Sequence, residues 1–264
     1  MAQNFRRNTS NNVGTSPVSV YTADSFDTIV GIALTNVSGS SINVDCYIND
    51  GSNDNTGKIC DELSKKDPNI TFINNDKNIG IGSSFWNAGC KAKGEYVIWF
   101  ASDGENFSYE ILRYIHLLDH VDILVPFAVN KNTRTFSRRL ISSIYKLIIN
   151  LSFRMFLNYT NGSCVYKKSV FLTLNLQSKG FFFQTELLVK SIKAGYLYAE
   201  IPFFIKQRPS GEASAISLKN LINVAVSYCN LFFNYYFNYA NKNLKTSIVE
   251  DSITYKRWRD KSEL

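Results

Sequence analysis

The chain has 264 residues, 45% hydrophobic and 14% aromatic, enough for one large domain or two small ones and unlike collagen, a repeat array or a low-complexity protein. Its five cysteines (Cys46, Cys60, Cys90, Cys164 and Cys229) form no CxxC or Cys/His cluster, which excludes a structural zinc site and fits reduced thiols in a cytosol. The net charge of +7 is segregated: residues 1–122 carry 15 acids and 9 bases, residues 123–264 carry 7 acids and 20 bases, so two surfaces with different partners are expected.

Residues 1–16 are polar and Asn/Ser/Thr-rich, lack the apolar core of a signal peptide, and read as a disordered tail. Pro17–Tyr21 then reads as a strand and Ser25–Asn36 as a weak helix. Asn43–Asn49 is a second strand, Thr56–Lys66 a helix, Asn69–Ile73 a third strand, and Ser83–Lys93 a helix opened by the Gly80/Gly82 turn. Glu95–Phe100, Ser108–Leu117 and Val121–Pro126 continue the pattern as strand, helix and strand. Such alternation predicts a mainly parallel sheet with helices on both faces. Arg138–Leu157 is basic, apolar and helical, but Lys146, Asn150 and Arg154 make it a poor bilayer-spanning segment. A helix follows the run Phe181–Phe183, and Tyr196–Ile205 reads as a strand broken by Pro202. Ser217–Tyr239 is a long helix with an asparagine stripe opposite a face holding Leu218, Ile222, Phe232, Phe233 and Tyr236. A charged tail ends the chain, so the organisation expected is a tail over 1–16, a catalytic domain over 17–215, and an amphipathic helix with charged tail over 216–264.

Two strands in this pattern deliver acidic, glycine-flanked turns at their carboxyl ends, the edge of an open α/β sheet where nucleotides sit. The first turn is Asn49-Asp50-Gly51-Ser52, whose carboxylate can accept bonds from a base or ribose. The second is Ala101-Ser102-Asp103-Gly104-Glu105, where two carboxylates two residues apart can share a Mg²⁺ or Mn²⁺ ion against a diphosphate. Arg208, before Pro209, has the bidentate geometry for phosphate. Glu186 follows three phenylalanines and is the first acid after a 63-residue acid-free stretch, a setting for a general base. Each feature also has an ordinary reading: an Asp-Gly turn, a solvated acidic turn, a surface arginine, and a carboxylate at a helix N-terminus. His116 and His120, four apart with no third ligand nearby, read as a solvent-facing pair, and Trp86 as core.

Taken in order, these pieces resemble family-2 glycosyltransferases of GT-A fold, especially the polyprenyl-phosphate sugar transferase branch, over Pro17 to Ser214. The resemblance is carried by Val18-Ser19-Val20, Asn49-Asp50-Gly51-Ser52 with Asp54 and Thr56, Asn78-Ile79-Gly80 with Gly82, and Ala88-Gly89. It continues through Ala92 to Tyr96, Asp103, Asn161-Gly162-Ser163 with Tyr166 to Val170, Phe183 to Leu187, Gly195, Glu200-Ile201-Pro202, Arg208 and Gly211. It implies a GT-A-like, Rossmann-like central sheet, a UDP- or GDP-sugar donor, and inverting displacement at the anomeric carbon. By the same resemblance Asp50, with Asn49, Gly51, Ser52, Asn78, Gly80, Gly82 and Ser102, lies along the nucleotide. Asp103 holds the Mn²⁺ or Mg²⁺ ion with Glu105 in reach, and Arg208 engages phosphate. Asp24 stands in for the acid of a first-strand Pro-x-x-Asn-Glu segment that is absent here. Asn49 and Ala101 replace two family acids, each change removing negative charge near the diphosphate. Asp50 and Asp103 are expected to converge on one cleft.

The acid-free stretch, with Lys131, Arg134, Arg138, Arg139, Lys146, Arg154, Lys167, Lys168 and Lys179, suits a lipid phosphate or an anionic membrane surface. The expected acceptor is therefore a polyprenyl phosphate or a lipid-linked or surface glycan, met at the inner face of a cytoplasmic membrane, with the Ser217 helix in the interface, aromatic face down. No nucleic-acid-binding module is present. Two rivals remain: a nucleotidyltransferase, disfavoured by the lack of a Gly-rich, Arg/Lys-bearing phosphate loop after the first strand, and a degenerate, catalytically weak nucleotide-sugar-binding subunit.

Overall fold

The computed structural model describes residues 47–51, 56–67, 70–100, 108–206, 217–237 and 248–262. The segments expected over Pro17–Tyr21 and Ser25–Asn36 lie outside these residues. Within them the order is β1 (Tyr47–Asp50), α1 (Thr56–Lys66), β2 (Phe72–Asn75), α2 (Ile81–Lys91), β3 (Tyr96–Ile98), α3 (Ser108–Leu112) and a 3₁₀ turn over Ile115–Asp119. Then come β4 (Ile123–Ala128), a 3₁₀ turn over Lys131–Thr133, α4 (Phe136–Phe153), β5 (Val165–Lys167), α5 (Lys168–Thr173), α6 (Phe183–Lys193), β6 (Tyr198–Phe203), α7 (Leu218–Tyr236) and α8 (Ile253–Ser262).

β1 and β2 pair in parallel, and a four-stranded sheet runs β3-β5-β4-β6. β4 and β6 are parallel, while β5 runs antiparallel to both β3 and β4. In the larger sheet three strands therefore share one direction and β5 alone is reversed. The reversed strand is only three residues long, too short for a period-two pattern to register. β4 reads Ile-Leu-Val-Pro-Phe-Ala with five of six residues buried, as a strand covered on both faces should be. Its alternate residues feed two cores. Ile123 and Val125 pack with Phe85, Phe153, Phe171, Phe183 and Leu187, whereas Leu124 packs with Ile111, Val165, Ile201 and Phe203.

Pro202 does not break β6. It sits inside the strand opposite Phe127, at the sheet edge, where a missing N–H is tolerated. The expected helix over Ser108–Leu117 is interrupted, ending at Leu112 before the 3₁₀ turn. His116 and His120 are both exposed, and Trp86 is half-buried against Phe171 at 4.7 Å between ring centroids. Among the described cysteines, Cys60 and Cys164 are buried and Cys90 and Cys229 exposed.

The tail holds a further helix. α8 is pinned by Asp122, a fully buried carboxylate just before β4 that accepts from Ile253 N (2.7 Å), Thr254 N (3.1 Å) and the Thr254 hydroxyl. Lys167 adds a bond to the Asp251 carbonyl at 2.6 Å. The aromatic side of α7 turns toward the protein rather than away from it. Tyr228, Phe232, Tyr235 and Tyr236 ring Phe153 of α4 at 5.9–6.5 Å. The asparagine stripe is not simply opposed to one apolar face: a second apolar side, with Ile222, Val226 and Phe233, is exposed.

Candidate active site

β1 and β2 end together, and their last residues are tied across the parallel register. Asn49 faces Asn74 and Asp50 faces Asn75. The Asn49 amide donates to Asn74 Oδ1 at 2.8 Å, and the Asn75 amide donates to Asp50 Oδ1 at 3.0 Å and to Ser84 Oγ of α2 at 2.9 Å. Asp50 then gathers the following loop: Ile79 N donates to its Oδ1 at 2.9 Å and Gly80 N to its Oδ2 at 3.1 Å. Both carboxylate oxygens thus accept hydrogen bonds within the protein. The expectation that Asp50 reaches a base or ribose is narrowed by this: its first task is to shape the Asn78–Gly80 loop. That loop borders an open hollow lined by Asn74, Asn75, Asp76, Lys77 and Ile79.

Three glycines are dictated by close approach. Gly51 has φ 67°, and a Cβ there would strike the backbone nitrogen of Asn78. Gly82 donates its N–H to the Lys179 carbonyl at 2.7 Å, and a Cβ on it would strike the Ser178 carbonyl. Gly80, at φ 95°, lies against the same Lys179 carbonyl. The Asn78–Gly82 loop is therefore backed by the segment 177–179.

Glu186 holds that segment. It lies in the first turn of α6, is 2% exposed, and accepts from Gln177 N (2.9 Å), Ser178 N (2.8 Å) and Lys190 Nζ (2.6 Å). Bonded to two amides and an ammonium, this buried carboxylate has an anchoring task that the general-base expectation does not include. The ordinary reading, a first-turn helix carboxylate, is the one observed.

At the carboxyl end of β4 the chain turns through Asn130, whose side chain clasps Ile205 in both directions at 2.7 and 2.9 Å. A basic cluster follows. Lys131 stands with Lys146 and Arg134, and burial first, then these two cations, push its pKa down. Arg134 also reaches the Tyr159 hydroxyl at 3.5 Å, and Arg139 donates to Asn132 at 2.9 Å. Glu200 is the counter-charge, accepting from Asn158 N and its amide at 2.7 and 3.0 Å.

Asp24, Ser52, Ser102, Asp103, Glu105 and Arg208 lie outside the described residues. Among the described residues no group of three His, Cys, Asp or Glu side chains gathers into a metal site. Asn74, Asn75 and Ser84, which sequence alone does not single out, are part of the site's frame. The polar run Asn74-Asn75-Asp76-Lys77-Asn78 directly after a strand is the signal that marks them.

Asp50→Ala leaves Ile79 N, Gly80 N and the Asn75 amide without their acceptor. We expect a loss of about 1–3 kcal/mol, read from urea unfolding, together with weakened nucleotide binding by calorimetry.

The sequence profile of glycosyl transferase family 2 matches residues 46–173. Over 183 residues the chain is 27% identical to polyprenol monophosphomannose synthase of Mycolicibacterium smegmatis, covering 62% of this chain and 67% of that one. Over 181 residues it is 23% identical to undecaprenyl-phosphate mannosyltransferase of Micrococcus luteus, covering 63% and 73%. Its fold is similar to glucosyl-3-phosphoglycerate synthase from Mycobacterium tuberculosis, solved with UDP, at a TM-score of 0.51 and 13% identity over 71% of this chain and 66% of that chain. The same enzyme solved with Mg²⁺ and UDP also gives 0.51. The architecture is thus GT-A-like, and the chain spans about two thirds of the length of the first of these relatives and of the solved structure.

Proposed function

We propose that this chain, whose residues 46–173 match the glycosyl transferase family 2 profile, moves a sugar from a nucleotide-sugar to a polyprenyl phosphate. The observation that carries the acceptor is that Lys131 and Arg134, just past the carboxyl end of β4, share an electrostatic environment with Lys146 of α4, inside a stretch with no acid from residue 123 to 185. Burial and then the charges of Lys146 and Arg134 push the pKa of Lys131 down, and bases that act on one another in this way attract an anion. A phosphate monoester also suits the buried, fully bonded state of Glu186: near neutral pH it is already largely ionised, so its oxygen attacks without a base, whereas a sugar hydroxyl must lose a proton. The two mannosyl-transferring relatives, whose names specify polyprenol and undecaprenyl-phosphate chemistry, agree with this.

In the proposed reaction an acceptor phosphate oxygen attacks the anomeric carbon as its bond to the nucleoside diphosphate breaks, inverting the configuration. Asp50 fixes the loop bordering the nucleotide through Ile79 and Gly80, and the 177–179 segment backs that loop. Since Asp50's oxygens are engaged, the divalent ion would rest on Asp103 and Glu105, where it would neutralise the leaving diphosphate. Arg208 would add a second phosphate contact, and the enzyme would work at a membrane surface without crossing it; no helix among the described residues is long and apolar enough to span a bilayer.

The test is release of UDP or GDP from its sugar nucleotides with Mn²⁺, with and without a polyprenyl phosphate, and capture of a lipid-linked sugar. Turnover that requires the lipid phosphate and falls to background in Asp103→Ala is the expected result. Transfer to a glycan hydroxyl in preference to phosphate would overturn the acceptor assignment. Asn49, where the family carries an acid, favours one rival, the weak nucleotide-sugar-binding subunit; nucleotide binding without any turnover would select it.

Lys131 sets the pH dependence. An anion beside it raises its pKa back toward the ordinary value, so binding takes up protons. Acceptor affinity should therefore fall as pH rises through the depressed pKa of Lys131, earlier than for an ordinary lysine. Lys131→Arg, which stays charged, should move that fall to higher pH in a KM profile.

A further inference from the structure

α4 is inside-out by the usual rule for surface helices, which turn their apolar stripe inward. Phe136, Leu140, Ile144, Leu147, Ile148 and Leu151 are all exposed and recur at spacings of three and four, forming one outward face. Leu151 is 70% exposed, and Phe156, just past the helix, 92%. The opposite face carries Tyr145, Ile149 and Phe153 into the core. α7 lies beside it, joined by the Tyr228–Ser152 hydroxyl bond at 2.7 Å and by Tyr236 donating to the Ser152 carbonyl at 2.5 Å. Both helices pack their inner sides on the same core, and α7 adds exposed Ile222, Val226, Phe233 and Phe237. Neither helix contains an acid, and Arg138, Arg139, Lys146, Arg154 and Lys219 lie on or at the ends of them.

We propose that the outward faces of α4 and α7 form a lipid-seating surface that rests on an anionic bilayer, with α4 in the boundary between headgroups and acyl chains. The charge argues for this occupant: a contiguous apolar face on two acid-free helices accompanied by bases matches an interfacial helix on anionic lipid. α4 also begins three residues after the 3₁₀ turn that holds Lys131, at the carboxyl edge of the sheet. The apolar face therefore starts next to the basic cluster, and a phosphate at the bilayer surface meets that cluster while its chain stays in the lipid. The inference deepens the lipid-acceptor reading and rests on it for its purpose.

The experiment is flotation of the full chain with vesicles of phosphatidylcholine alone or mixed with phosphatidylglycerol, without sugar nucleotide. The chain should float with the anionic vesicles at low salt and be released at high salt. A triple variant, Ile144→Glu with Leu147→Glu and Leu151→Glu, places charge only at exposed positions. It should bind these vesicles at least roughly tenfold more weakly, because three carboxylates replace apolar side chains on the face set against anionic lipid. Its transfer to a water-soluble short-chain acceptor phosphate should stay at the unmodified level, while transfer to a long-chain acceptor in vesicles drops. An unmodified chain that does not float, or a triple variant that floats equally well, overturns the proposal. So does a dimer in sedimentation that the triple variant disperses while vesicles capture neither protein, which would assign the face to a second copy. Flotation that depends on the face, without transfer to any phosphate acceptor, would leave the surface standing and remove the acceptor reading.

Discussion

Glu186→Ala should lower the free energy of unfolding by about 3–5 kcal/mol, the cost of removing one partner from a buried ion pair. Lys190 loses its carboxylate, and the amides of Gln177 and Ser178 lose their acceptor, all at a side chain 2% exposed. For a chain of this size the melting temperature should fall by roughly 10 °C. The second consequence is functional. The freed segment carries the Lys179 carbonyl that takes the Gly82 N–H, so nucleotide affinity should decline together with stability. Glu186→Gln keeps the shape but offers one acceptor oxygen and turns an NH₂ group toward existing donors, so it should recover only part of the loss. A general base would behave differently: Glu186→Gln would leave stability and nucleotide affinity intact and reduce kcat alone. Calorimetric nucleotide titrations of both variants, beside their melting curves, separate the two roles.

Asp122→Ala should release α8. The carboxylate is fully buried and takes two backbone N–H groups at the helix start, Ile253 and Thr254, as well as the Thr254 hydroxyl. Hydrogen bonds to a charged acceptor contribute about 1.5–3 kcal/mol each in context, and a helix N-terminus favours negative charge. We expect a total of about 3–4 kcal/mol, less than the simple sum because the three bonds share one side chain. Limited proteolysis should report the change first, as cutting within 253–262 at protease levels that leave the unmodified chain whole. Asp122→Asn, retaining one acceptor oxygen, should be cut at an intermediate rate. Equal resistance in all three proteins would mean that Lys167 and its bond to the Asp251 carbonyl hold the segment without Asp122.

Much of this architecture is written in local pattern. α1 falls at Thr56–Lys66, where the sequence places it, since its polar and apolar positions alternate at helical period between turn-forming flanks. β2 begins three residues later than expected, at Phe72, because Asn74 and Asn75, polar enough to read as a loop, pair in the ladder with Asn49 and Asp50. What local pattern does not carry is partnership at long range. Asp50 is visible in the sequence as a turn carboxylate, but its bonds to Ile79 and Gly80 span some thirty residues. Glu186 is a second case. Its apolar sequence neighbours say nothing of the groups bonded to it, two amides from the preceding loop and a lysine one turn on. α7 misleads for a related reason: Phe232 and Phe233 are adjacent in the chain, yet one packs on Phe153 and the other is exposed. Apolar residues on both sides of a helix leave its spacing silent about which side meets the protein.

The bond from Ile253 to Asp122 joins positions 131 residues apart. At about 5–20 residues per second of synthesis, the carboxylate leaves the ribosome on the order of ten seconds before its partners exist. During that interval the Asp122 side chain is without the Ile253 and Thr254 donors that satisfy it in the finished protein. The bonds that tie α8 to the start of β4 are thereby deferred until the segment around residue 253 is translated, so a chain terminated upstream of that point would leave a fully buried carboxylate without its donors.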